Sequence, residues 1–174
     1  AESCIRDRLW ATEGIDIRGT RMVSEVGFNG GIELNGELYF RGYDFESGYE
    51  LWKTDGTANG TILVKDINPS SSSNPTEFII FQERMLFQAD DGIYSRELWS
   101  SDGTAEGTEL FKDLDTTTNI TFPSESGGNP RSFFIFQRDL YFVANKADNS
   151  MTSPYKRFLW KSDGTVSGLS IIHI

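Results

Sequence analysis

One cysteine and one histidine in 174 residues leave little for the commonest site chemistries. Cys4 has no partner for an internal disulfide, so it is a free thiol or a link to another chain. His173 is the penultimate residue, and a Ser-His-Asp or Cys-His device would rest on a terminus, where chains are usually mobile. No apolar run approaches the roughly 18 residues of a membrane span, so direct membrane insertion is not expected. Basic residues are short as well: 16 Lys and Arg stand against 26 Asp and Glu, a net charge of −10. A surface of that sign repels nucleic acid and anionic lipid and suits a basic partner or simple solubility. No phosphate-binding glycine loop or metal-ligand spacing occurs, and no stretch has helical periodicity.

What is present is a repeat. Glu50 to Asp66 reads ELWKTDGTANGTILVKD, and it returns as ELWSSDGTAEGTELFKD from Glu97 and FLWKSDGTVSGLSII from Phe158. A worn copy, RLWATEGIDIRGTRMVSE, starts at Arg8, with Glu13-Gly14-Ile15-Asp16 in place of the Asp-Gly-Thr turn. Trp10, Trp52, Trp99 and Trp160 mark the copies, separated by 42, 47 and 61 residues. Apolar residues at 37%, 13 Phe among them, are enough for a packed core in a single domain of this length.

Before each later copy stands a hairpin. Asn35-Gly36 between alternating apolar runs predicts a two-residue turn, because both positions need positive φ. The hairpin returns at 78–88 and 133–143, where Gln82-Glu83 and Gln137-Arg138 are poor primed-turn residues and predict slightly longer loops. Each unit therefore reads as four antiparallel strands, a-b-c-d. The Ser/Thr/Asn/Pro stretches 68–76 and 115–130 are too polar to pack and read as loops. Four strands on a period of about 40–50 residues is the β-propeller signature. Residues 1–174 then form one all-β, propeller-like array: a half blade at 5–26 and blades at about 30–67, 76–114 and 131–174. About three and a half blades close a ring only with another chain or further sequence, since closed propellers hold about four or more.

The repeat residues have structural readings. Trp and the preceding Leu point to opposite faces of a strand, one toward each neighbouring blade. Asp55, Asp102 and Asp163 form Asx-turns that Thr57, Thr104 and Thr165 tie shut. Gly60, Gly107 and Gly168 are expected at left-handed positions that re-enter strand d. The rival for these aspartates, and for Asp90-Asp91, is calcium; each turn offers one firm carboxylate, and the three alternating acidic positions of a calcium loop are missing. No other cofactor is expected. Tyr43, Phe45, Tyr49, Tyr94 and Tyr155 fall in or beside the b-c connections, on one rim, and are contact candidates beside the reading that they pack between blades.

The pattern ELW-x-[ST]-DGT-xx-GT-xx-[VF]-KD, with Asn35-Gly36 and Ala89-Asp90-Asp91-Gly92, resembles the ELWxxDGTxxGT repeat family. The resemblance covers nearly the whole chain beyond residue 8, and Leu169 departs from it where Thr is expected. It implies secreted or surface-attached, propeller-like proteins of adhesion or interaction, found also in algae, and it carries over no catalytic residues.

The expectation that follows is a non-catalytic interaction or scaffold module, not an enzyme. It would be an accessory subunit docking onto a larger protein assembly, with bare blade edges that a partner or a second copy would cover. Ala1-Glu2-Ser3 reads as a processed terminus, hence an extracellular or organelle-lumen location, a peripheral lumenal subunit of a photosynthetic membrane complex if the host is algal. A lectin-like binder of carbohydrate, with one shallow site per repeat, is the second reading. A hydrolase with convergent carboxylates in the channel is the third.

Overall fold

In a computed structural model the described residues are 8–12, 20–115, 127–147 and 155–173. Among them every regular element is a strand, and all pairing is antiparallel. The first sheet holds β1 (Arg8–Thr12), β2 (Thr20–Leu34), β3 (Glu37–Asp44), β4 (Gly48–Thr54) and β5 (Ile62–Lys65) in sequence order. The second holds β6 (Thr76–Phe81), β7 (Arg84–Asp90), β8 (Arg96–Ser101) and β9 (Glu109–Lys112). The third holds β10 (Arg131–Phe136), β11 (Asp139–Ala147), β12 (Tyr155–Ser162) and β13 (Ser170–Ile172). This is a β-propeller-like array of about three and a half blades, not closed into a ring. The half unit is continuous with the first sheet, because β2 runs unbroken past both. Its first part pairs with β1 and its second with β3.

The blades stack by one rule. Leu9 shares a buried cluster with Trp52, Leu51 with Trp99, and Leu98 with Trp160. Each c strand thus sends its Leu toward the following unit and its Trp toward the preceding one, as period-2 alternation requires. The indole lies over strand b, where the facing residue is small: a Cβ on Gly42 would strike the Trp52 ring. Ala89 and Ala144 hold the same place in the other two sheets and are buried.

All three a-b hairpins turn in two residues. Asn35-Gly36, Gln82-Glu83 and Gln137-Arg138 all have positive φ, so the longer loops expected at the last two are not formed. Left-handed backbone costs a non-glycine residue about 1–2 kcal/mol. At Gln82 a bond to the next blade offsets part of this, since its Nε2 donates to the Asp163 carbonyl at 2.7 Å. Each inner strand also bulges at one equivalent point, Gly30, Glu77 and Ser132, with φ of 61°, 59° and 58°. The inner strands β2, β6 and β10 touch in succession. There Glu77 Oε2 accepts the Ser132 N–H at 2.8 Å.

The first polar linker and the described end of the second, 127–130, do pack, against expectation. Glu50 is fully buried, and its carboxylate accepts N–H bonds from Ile67 at 2.8 Å and Ser73 at 2.7 Å, with the Ser73 hydroxyl added. Glu97 does the same for Leu114 at 2.8 Å and Gly128 at 2.5 Å. Asn74 N–H then bonds the Tyr49 carbonyl, and Asn129 N–H the Arg96 carbonyl. A buried acceptor thus ties each polar segment to strand c through its backbone N–H groups. Burial raises both carboxyls, Glu97 to about 8, against the pull of the backbone donors. The signal was in the sequence: Glu opens the two copies that an Asn-Pro linker follows, and Arg8 and Phe158 stand in the other two.

Candidate functional site

Two of the rim aromatics meet. Tyr43 on β3 and Tyr49 on β4 face each other across the strand pair, with ring centroids 4.8 Å apart and planes tilted by 46°. The Arg41 guanidinium lies 4.8 Å from the Tyr49 centroid, so a cation braces the pair from beneath. The strands place these groups because residues 41 and 43 share one face of β3 at period 2. Beyond them the chain turns through Phe45, Glu46 and Ser47, and Asp44 Oδ1 fixes that turn by accepting the N–H groups of Glu46 at 3.0 Å and Ser47 at 2.6 Å. Phe45 at the tip is 94% exposed, and Tyr43 is 41% exposed. The first sheet therefore carries a small aromatic platform, rigid at its base and open above.

The same register in the other sheets carries different chemistry. Asp90 faces Arg96 in the second, and Asn145 faces Arg157 in the third. Tyr94 sits in a loop that Asp91 Oδ1 holds through the N–H groups of Ile93 and Tyr94, and Asp90 Oδ1 through that of Gly92. It joins no aromatic partner there among the described residues. Tyr155 opens β12, and its side chain lies outside the described part, as do Cys4 and the worn turn at 13–16. His173 is exposed beyond β13. Among the described residues the platform is single, where a lectin-like repeat predicts one per blade.

The Asp-Gly-Thr turns are alike in all three full blades. Asp55, Asp102 and Asp163 each accept the N–H and hydroxyl of the Thr two residues on, at 2.7–2.9 Å. That Thr hydroxyl in turn accepts the N–H of Gly60, Gly107 or Gly168. The Thr bonds hold the three carboxyls below their ordinary range. The left-handed expectation for Gly60, Gly107 and Gly168 is corrected. Positive φ belongs to Gly56, Gly103 and Gly164, whereas a Cβ on Gly60, Gly107 or Gly168 would fall on the Asp carboxylate. Those glycines are required by close approach. The three aspartates lie in the turns of three separate sheets, and among the described residues no three His, Cys, Asp or Glu are grouped as a metal would need.

Four further carboxylates are also committed. Glu33 Oε1 accepts the Gly36 N–H at 2.7 Å and Glu77 holds Ser132, while Glu50 and Glu97 are latches. One cleft of about 230 Å³ lies where the β1–β2 hairpin meets the turn end of the first sheet, lined by Leu9, Trp10, Val23, Glu33, Leu38 and Asp55. Trp10 above it is 55% exposed, against 7–8% for the other three tryptophans of the repeat.

No family model and no curated protein matches the chain. Among solved structures it is similar to Bacteroides ovatus xyloglucan PUL GH43B, at 12% identity and a TM-score of 0.45, over 86% of this chain and 29% of that one. It is also similar to an alpha-L-arabinofuranosidase from Clostridium thermocellum, at 13% identity and a TM-score of 0.30, over 82% of this chain and 70% of that one. The chain thus spans less than a third of the length of the first. The expectation of a non-catalytic scaffold or accessory subunit finds no counterpart among these neighbours, one named for xyloglucan and the other an arabinofuranosidase, and it is withdrawn. At these identities and scores the likeness passes no activity or substrate to this chain.

Proposed function

We propose that the chain is a carbohydrate-binding propeller module, and that the Tyr43–Tyr49 platform is its contact surface. The observation that carries this reading is the braced ring pair, with Tyr43 and the adjoining Phe45 open to solvent. Flat, immobilised aromatic faces accept the C–H faces of sugar rings at small entropic cost, because a Tyr has only two χ angles to fix. Arg41 and the acidic groups of the Asp44–Ser47 turn supply a donor and acceptors for sugar hydroxyls at the edge of the platform. The net charge of −10 disfavours an anionic ligand, so the glycan is neutral. The reading is one of binding without turnover. Calcium has no role in it.

The test is titration of the isotope-labelled protein with a panel of short neutral oligosaccharides, followed by NMR. Shifts should concentrate on residues 41–49 and vanish in Tyr43→Ala, with the rest of the spectrum unchanged. Binding that survives Tyr43→Ala and Phe45→Ala together would move the site elsewhere. No binding at millimolar sugar would end the reading.

A further inference from the structure

The Leu-to-Trp stacking rule has two loose ends. Leu9, Leu51 and Leu98 each meet the Trp of the next unit, which leaves the Leu159 side of the third sheet and the Trp10 side of the β1–β2 hairpin without a counterpart among the described residues. Both are exposed where their equivalents are buried. Phe136 is 52% exposed, whereas Leu34 and Phe81 at the same hairpin position are 5% and 6%. Phe134, two residues earlier on the same face of β10, is 62% exposed. Trp10 is 55% exposed and Met22, its register partner on β2, is 40% exposed.

The polar groups of the third sheet repeat those with which the other sheets receive a neighbour. In the first sheet Glu37 accepts Lys53 Nζ and the Tyr39 hydroxyl, both at 2.9 Å, and Tyr39 lies against Gly103 in the next blade's turn. Asp139, Tyr141 and Lys161 stand at the same three places in the third sheet, with Asp139 and Lys161 paired at 2.8 Å. Gln137 stands where Gln82 reaches the Asp163 carbonyl of its neighbour, with the same left-handed backbone. In apolar and polar groups alike, this face is built to receive the Trp side of a blade.

We infer that it receives the Trp10 side of a second copy, so that the protein associates head to tail. The molecule exposes one face of each kind, at opposite ends of the array, and each matches the other rather than itself. An interface of this type is heterologous and closes if the rotation permits. Two copies bring eight Leu-Trp strands, four from each, which is within the range of closed propellers. The tyrosine platform lies on the b-c rim, so this inference does not depend on the carbohydrate reading.

Light scattering after size exclusion, on the whole chain and two variants, tests it. Wild type should run at twice 19.6 kDa, or a higher multiple. Trp10→Arg and Phe136→Arg, both at exposed positions, should each run as folded monomers with an unchanged β-sheet circular dichroism spectrum. Mixed in equal amounts, the two should recover a dimer, because the mixture contains one intact Trp side and one intact Leu side. Should Phe136→Arg fail to fold, Phe134→Arg takes its place. A dimer that persists in Trp10→Arg alone would mean that the third sheet pairs with itself, and would overturn the proposal. So would a wild-type monomer at several hundred micromolar, which would leave the face to a different partner or to further blades.

Discussion

Trp99 and Trp10 occupy the same place in the repeat, on the same side of a c strand, and lie in opposite surroundings. Trp99 is packed into the cluster between the first two sheets, whereas Trp10 looks outward from the β1–β2 hairpin. The repeat fixes which way each side chain points, because alternation along a strand is a local property. Whether that direction leads to protein or to water depends on whether a blade comes before it. The rim shows the same contrast in another form. One register position holds Tyr43 and Tyr49 in the first sheet, and Asp90 and Arg96 in the second. The packing residues recur from blade to blade, while the rim residues are free to differ, and function is read from the difference.

The largest test of this contrast is a pair of truncations. Trp99→Ala should cost about 3–5 kcal/mol of unfolding free energy, the usual cost of a large cavity in a packed core. Trp10→Ala, measured in dilute urea titrations, should cost less than about 1 kcal/mol. Equal losses would mean that Trp10 is packed in solution.

The latches come next. Glu97→Ala leaves the Leu114 and Gly128 N–H groups without their acceptor and should cost about 2 kcal/mol or more. The pH dependence of the intact protein sharpens the point. With the folded carboxyl raised from 4.5 to about 8, the native state holds a proton that the unfolded state releases, so this group makes stability fall as pH rises from about 4.5 to about 8. Its share of the slope is at most about 1.4 kcal/mol per pH unit. Glu97→Gln should flatten the profile in that window, and an unchanged profile would place the carboxyl near its ordinary value.

A smaller effect is expected in the turns. Gly107→Ala should destabilise by about 1–3 kcal/mol, because the new methyl meets the Asp102 carboxylate. Asp102→Ala in the same chain should return part of the loss, as a double-mutant cycle would show. If the two losses simply add, close approach is not why glycine stands there. Smallest of all, Tyr43→Ala should shift the melting temperature by only a degree or two, while removing saccharide binding.

Much of the architecture was legible in the chain. The copies of ELW-DGT mark strands c and d, Asn35-Gly36 marks the first hairpin, and both follow from local turn and alternation chemistry. The hairpins at Gln82 and Gln137 were not legible as two-residue turns, because what offsets their left-handed backbone at Gln82 is a carbonyl on the next blade. Linker packing was missed because a buried glutamate reads as surface polarity until its donors are known. Gly60 and its equivalents were assigned the wrong reason, since glycine signals both freedom of φ and absence of a side chain. Of the rim residues, sequence named the tyrosines but could not pair them. Tyr43 and Tyr49 meet through strand register, and Arg41 enters from the same face.

By itself, then, the sequence determined the blade count, the order of strands and the direction of each Leu and Trp, because these depend on contacts within a few residues. Only the tertiary structure decided which of four equivalent tryptophans is exposed, which carboxylates are consumed as latches, and which blade carries the paired tyrosines. Those outcomes depend on what lies across a blade interface or a strand pair, and no spacing along the chain records it.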